Sequence, residues 1–421
     1  MNILWLTNIP LPEASRILGG NSTPFGGWLV NTSDALSNLD GIQLSIAFPK
    51  KGLNDIREIQ GSKINFYAFS PVKETQANLI IDNKNLEKII QEVKPDIVHI
   101  FGTEYLHSLA MVNICKKLGI NSIISIQGLV SVISRHYMAL LPLKVQRSFT
   151  FRDLIKRDNL KKQQQKIYIR GKYEIEALQK VKHVIGRTTW DKACTLQINS
   201  DIKYYHCNET LRSEFYKHSW DINHCERHSI FISQGSYPLK GLHFMIEALP
   251  IILKKFPDVK LYIAGPDITK YDTLVDKLKI SSYGLYIKKL INKYNLQGHV
   301  IFTGLLDEGQ MCQRFLKSNV FVSASTIENE SNSLSEAKIL GLPCIASYVG
   351  GVINRINHEV DGFLYQFDAP YMLAHYVNEI FSSDNLCLKF SENARAQALE
   401  VHDIKENTAT LIEIYKSILK S

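Results

Sequence analysis

Long apolar runs are missing from this chain: hydrophobic residues make up 45% of it, yet no stretch approaches the ~20 consecutive apolar residues of a membrane-spanning helix. Cysteine is sparse and unpatterned. The 7 cysteines are an odd number without C-x-x-C spacing, which argues against a disulfide framework and for reduced thiols in a reducing compartment. No D-x-D pair or other oxygen-ligand cluster suggests Mg²⁺ or Mn²⁺, so no metal and no cofactor are expected. The opening Met1-Asn2-Ile3-Leu4-Trp5-Leu6 lacks a basic run and turns at once into Asn8-Ile9-Pro10. It reads as a buried first strand, not a secretion signal, and a cytoplasmic protein is expected.

What is present is charge of one sign in one place. The chain carries a net charge of +8, but Arg135 to Lys172 alone holds eleven Lys and Arg against two acids, Asp153 and Asp158. A run of this kind is usually a solvated helical face. Here it is interleaved with Phe149, Phe151, Leu154, Ile155, Ile167 and Tyr168, so a basic amphipathic element on an anionic membrane surface is an equal reading. Nucleic acid fits poorly, because no recognition module accompanies the basic stretch. His206, Cys207, His218, His224, Cys225 and His228 cluster too, but adjacent residues on a strand point to opposite faces and chelate one metal badly. A strand end followed by a linker is the simpler reading.

At 421 residues the chain is long for one core and fits two α/β domains of about 200 residues each. Short apolar runs alternate with helical patterns, the rhythm of doubly wound parallel sheets. Strands are predicted at 3–7, 44–48, 64–68, 97–101, 122–126, 183–186 and 202–206, and again at 230–232, 261–264, 300–303, 320–323 and 344–347. The polar, His-rich stretch 211–228 is the expected linker. It separates an N-terminal domain, 1–210, from a C-terminal domain, 229–400, and a last helix in 401–421 can pack back on the first domain.

Five strand ends carry polar or glycine-rich motifs, where open α/β sheets bind ligands. Gly26-Gly27 precedes a predicted helix from Trp28 and would let a backbone approach a ligand. Ser233 to Gly241 places Lys240 near a helix start, where an ammonium can neutralise a diphosphate. Gln127-Gly128 ends another strand, and Gly186-Arg187-Thr188 a fourth. Most informative is Ser325 to Gly351, in which Glu328 and Glu336 stand with seven residues between them across a strand-to-helix turn. Amides of Asn332, Ser333 and Leu334 at that helix start would attract phosphate. The bland alternative is a capping box in which Ser333 and Glu336 satisfy each other's backbone donors.

The segment from Glu328 to Glu336 is similar to the E-x7-E element of retaining GT-B glycosyltransferases of family four. The resemblance continues through Val93-Lys94-Pro95-Asp96-Ile97-Val98-His99, Ala264-Gly265 and Phe302-Thr303-Gly304. It implies two Rossmann-like domains facing across a cleft, and a hexosyltransferase of the bacterial surface-polysaccharide type. A UDP- or GDP-linked sugar would be co-substrate, with a saccharide or polyprenyl-linked acceptor. Glu336 would hold the ribose, Glu328 the donor sugar and Lys240 the diphosphate, with Gly26, Gly27 and Arg187 also facing the donor. The family's Gly-Phe-Gly after the first Glu is here Asn329-Glu330-Ser331. Its Arg five residues before the lysine is Gly235, leaving Lys240 alone or helped by Arg187 or Arg212, and its usual His is Gln127, which hydrogen-bonds but carries no proton. A nucleotide-sugar epimerase or hydrolase, or a silent binding scaffold, are the alternatives.

Overall fold

The computed structural model describes residues 1–20, 27–72 and 84–420. By contacts the chain separates into two compact units, one of Met1–Val132, Ile167–Arg212 and His402–Ser421, the other of Ile133–Lys166 and Ser213–Val401. The change of unit at Arg212 falls inside the linker expected from sequence. Residues 133–166, which the sequence pattern assigns to the N-terminal half, group with the second unit.

The first unit is built on an eight-stranded sheet. Its strands are β1 (Asn2–Leu6), β2 (Gln43–Pro49), β3 (Arg57–Gln60), β4 (Asn65–Phe69), β5 (Ile97–Phe101), β6 (Asn121–Ser125), β7 (His183–Gly186) and β8 (Lys203–His206). The order is β3-β4-β2-β1-β5-β6-β7-β8, and every pairing is parallel except that of β3 with β4. Central strands such as Ile97–Phe101 are buried throughout, as expected where helices cover both faces of a parallel sheet. Strand β3 escapes sequence detection because Arg-Glu-Ile-Gln offers one buried residue on an exposed edge. The C-terminal helix Ile404–Leu419 lies against this unit: the Tyr415 hydroxyl accepts from Trp5 Nε1 at 3.0 Å and meets His99 Nδ1 at 2.5 Å. Burial pushes His99 down to about 3, so its ring is neutral.

The second unit holds a six-stranded parallel sheet: β9 (Ser229–Ile232), β10 (Lys260–Ile263), β11 (Val300–Phe302), β12 (Val320–Ser323), β13 (Cys344–Ser347) and β14 (Phe363–Tyr365). Its order is β11-β10-β9-β12-β13-β14, so the strand order reverses beside β9 and β12. Ligands of open α/β sheets bind at such switch points, outside the carboxyl ends of the strands. Strand β14, three residues long at the edge, is not expected from sequence. Among the described residues no helix is long and apolar enough to cross a membrane.

Candidate functional site

Two loops leave the carboxyl ends of β9 and β12 and are locked together before any charged side chain is considered. The first runs from Ser233 into a 3-10 turn, Pro238–Lys240, and then a helix, Leu242–Leu253. At the junction Gly241 adopts φ +68°, and a Cβ there would lie 1.8 Å from the Ala324 carbonyl oxygen. Only glycine permits both the conformation and the approach. The Thr326 amide then donates to the Leu239 carbonyl at 2.8 Å. On the far side of the β12 loop Gly350, at φ +50°, leaves room for the Glu328 carbonyl, which accepts from the Gly351 amide at 3.0 Å.

This framework brings Lys240 and Glu328 together. The Lys240 ammonium donates to Glu328 Oε2 at 2.7 Å, and the Ser325 hydroxyl donates to the same oxygen at 3.1 Å. Both charged side chains remain partly exposed, at 23% and 18%, so a ligand can reach them. Burial alone would lower the Lys240 pKa, but the Glu328 carboxylate, with Tyr237 beside it, outweighs that effect and raises it. Lys240 is therefore a fixed positive charge.

The helix after Glu328 spans Asn332–Leu340, and its cap is not the one the sequence suggests. Ser331 is the N-cap, its hydroxyl accepting from the Leu334 amide. The expected Ser333–Glu336 capping box is absent, because Ser333 already lies within the first turn. Glu336 stands in the second turn and is only 4% exposed, while Asn332 and Ser333 are half-buried at the helix start. Between the two acids, Glu330 forms a buried ion pair with Arg355 Nε at 2.7 Å. The polar Asn329-Glu330-Ser331 loop is thus anchored by a buried ion pair. Beneath it Lys338 is buried against Asp361 at 3.1 Å, the Gln397 side chain and the Arg355 carbonyl. Burial lowers its pKa, with Asp361 opposing.

Position 235 explains the missing arginine. A Cβ at Gly235 would lie 2.8 Å from Leu242 Cδ2 and 3.0 Å from Ile263 Cγ2, so this backbone has turned the position toward the apolar interior.

In the first unit, Gln127 Nε2 donates to Glu209 Oε1 at 2.6 Å, and Glu209 also pairs with Arg187. Arg187 is 4% exposed and donates to the Ile126 carbonyl at 2.8 Å. Its hydrogen bonds hold the ends of β6 and β7 together, and with Trp28, His99 and Glu209 it lines a cavity of about 30 Å³. Gly27 opens the helix Trp28–Ser37, and a Cβ there would collide with the Arg212 side chain. Gly26 lies outside the described residues. Sequence reasoning misses a cluster past the ends of β1 and β5: Asn8 Nδ2 donates to Glu104 Oε2 at 3.3 Å, and Asn8 Oδ1 meets His107 Nε2 at 2.8 Å. Burial pushes Glu104 up to about 7, with backbone hydrogen bonding opposing and Glu174 adding to it. A polar residue two or three places beyond a strand end, in Gly102-Thr103-Glu104, is the available signal.

Among the described residues no group of three or more His, Cys, Asp or Glu could hold a metal ion. His224 instead pairs with Asp221 and His218 with Glu214.

Two parallel α/β sheets, each with strand-end loops on its carboxyl edge, define the GT-B architecture. The chain is similar over its whole length to solved structures of that fold, sharing 15% identity and a TM-score of 0.69 with sucrose-phosphate synthase from Thermosynechococcus elongatus, at full coverage of both chains. It shares 14% identity and a TM-score of 0.67 with Anabaena HepE in complex with UDP-glucose, over 99% of each chain. Residues 213–397, which include Lys240, Glu328 and Glu336, match the family described as Glycosyl transferases group 1. A curated relative, the putative glycosyltransferase YtcC of Bacillus subtilis, is 28% identical over 184 residues, 43% of either protein. In such matches the chain spans about half the length of the curated relatives.

Proposed function

We propose that this protein is a retaining hexosyltransferase, moving a sugar from a nucleoside-diphosphate donor to a hydroxyl of a glycan or lipid-linked saccharide. The observation that carries this reading is the Lys240–Glu328 pair at 2.7 Å, beside the start of the helix that presents Asn332, Ser333 and Leu334. The chemical difficulty is the charge that develops on the departing diphosphate. Lys240 and the helix-start amides supply preorganised positive potential for it. Glu328 then exchanges part of its bond with Lys240 for sugar hydroxyls, and Glu336 takes the ribose hydroxyls.

Transfer on one face of the sugar needs no enzymic base. As the bond from C1 to the phosphate oxygen breaks, the acceptor oxygen bonds C1 from the same side and passes its proton to the departing phosphate. A glutamine at 127 is compatible with this, since nothing there must carry a proton. In this reading Arg187 positions Glu209 and Gln127, and Gly27 gives backbone access. HepE, bound to UDP-glucose, supports a uridine donor ahead of a guanosine one. A polyprenyl-linked acceptor of surface-polysaccharide assembly would be met at an anionic membrane by a cytoplasmic, peripheral enzyme through residues 135–172.

A thermal-shift series with UDP-, GDP- and ADP-sugars tests the donor, because a ligand of the folded state raises Tm. UDP-hexose should stabilise wild type and not Lys240→Ala. The reading is wrong if no nucleotide sugar shifts Tm, or if sugar is released or epimerised without an acceptor.

A further inference from the structure

Two short helices of the second unit, 123 residues apart in sequence, are built alike and pack against each other. Thr150 caps Phe151–Lys156 in a reciprocal box with Asp153, and Thr273 caps Leu274–Lys279 in a reciprocal box with Asp276. In each helix the one acid is consumed by backbone amides. Asp153 is also buried, accepting from the Ser282 amide at 3.0 Å. What remains for solvent is apolar and basic. Phe151, Leu154 and Ile155 are 54%, 65% and 67% exposed, with Phe149 just before them at 65%. Leu274, Val275 and Leu278 of the second helix are 78%, 53% and 49% exposed. Lys156, Arg157, Lys161 and Lys162 border the first helix, and Lys277 and Lys279 the second, all exposed.

Adjacent exposed side chains of this size mark an interaction surface. From the composite face we infer that the helices Phe151–Lys156 and Leu274–Lys279 together form an anionic-lipid docking surface, their apolar tips entering the headgroup region and the lysines and arginines lying along it. This deepens the membrane part of the proposed function, but it rests on the face and not on the reaction. Charge selects the occupant. Ile133–Lys166 carries nine basic residues and two acids; of the acids, Asp153 is buried and Asp158 pairs with Lys166 at 2.6 Å. A second copy of the chain would bring the same positive field against itself, whereas an anionic leaflet is attracted by each surface Lys or Arg. The helix Leu274–Lys279 is the new element, since the charge run in the sequence ends at Lys172, 102 residues before Leu274.

The test uses full-length protein and vesicles of phosphatidylcholine with or without phosphatidylglycerol. Wild type should co-sediment with the anionic vesicles at low salt and be released as salt screens the attraction. The triple variant Leu274→Ser, Val275→Ser, Leu278→Ser should reduce the bound fraction at least about tenfold while keeping its Tm and its donor-induced shift. A reporter variant, Leu274→Trp, should show blue-shifted emission only with anionic vesicles. The proposal is overturned if wild type ignores anionic vesicles at low salt, if the serine triple binds as wild type does, or if the Trp emission stays unshifted. Lipid-free dimerisation abolished by the same triple would make a second copy the occupant instead. Retained vesicle binding without any nucleotide-sugar shift would leave this surface standing and remove the reaction.

Discussion

Glu328 is held from both sides, by the Lys240 ammonium at 2.7 Å on its carboxylate and by the Gly351 amide at 3.0 Å on its carbonyl. Its side chain is therefore aimed before substrate arrives, and preorganisation of this kind lowers the reorganisation left for the transition state. Removing Lys240 both deletes a charge and releases its partner. Lys240→Ala should lower turnover by about tenfold or more, the low end for a positioned charge in a water-poor site. Steady-state kinetics with donor varied checks this, and unchanged kcat/KM would assign the diphosphate to another cation.

Gly241 tests the framework beneath that pair. It has φ +68°, and a Cβ at this position would sit 1.8 Å from the Ala324 oxygen, so Gly241→Ala must displace one loop. We expect a loss of about 2 kcal/mol or more in chemical denaturation, above the usual cost of a positive-φ substitution alone. Donor affinity should fall with it. A variant as stable as wild type would mean that the two loops are not locked.

The cap assignment separates two roles that the sequence leaves superimposed. Ser331→Ala should cost about 1 kcal/mol, as loss of an N-cap does, whereas Ser333→Ala should be nearly neutral. Glu336→Gln should raise the donor KM while leaving Tm close to wild type, because Glu336 sits in the second turn and closes no capping box. A fall in Tm with unchanged KM would return Glu336 to a structural role.

Activity should persist in excess EDTA, since Lys240 and the helix-start amides provide the positive potential that a divalent ion would otherwise supply. Assay after exhaustive chelation checks this. Complete loss, restored by Mg²⁺ or Mn²⁺, would place a metal on the diphosphate.

Much of this is legible in the chain. Buried parallel strands read as apolar runs, so 97–101, 183–186, 320–323 and 344–347 match the sequence pattern to the residue. The edge strands do not: β3, Arg-Glu-Ile-Gln, has one buried apolar residue, and β14, Phe363-Leu364-Tyr365, is apolar but only 3 residues long. Glu328, Glu336 and Lys240 are visible as motif positions, but the contact between Lys240 and Glu328 spans 88 residues and no local pattern encodes it. The cap misleads for a related reason. Ser333 to Glu336 fits the capping pattern as a string, yet Glu330, tied to Arg355, fixes the loop so that the helix starts at Asn332. The boxes at Thr150 and Thr273 are readable in principle, since both are T-x-x-D ahead of apolar residues.

Glu104 is held by the Asn8 side chain past the end of β5. Burial raises its pKa from 4.5 to about 7, so the folded protein retains a proton that the unfolded chain has lost. Between those values the native state binds more protons, and stability must fall as pH rises. The contribution is fully present below about pH 4.5 and is lost as pH passes about 7, with a total on the order of 3 kcal/mol for a shift of this size. His99 and His107 act oppositely. Burial pushes both down to about 3, so their contribution is present above about pH 6.5 and lost as pH falls toward 3. Comparing wild type with Glu104→Gln, which keeps the size but cannot ionise, isolates the glutamate, because the histidine contribution is common to both proteins. In denaturation followed from about pH 5 to about pH 7.5, wild type should lose stability relative to the variant as pH rises. If the difference between the two stays constant over that interval, another group carries the titration and Glu104 is ionised in the native protein.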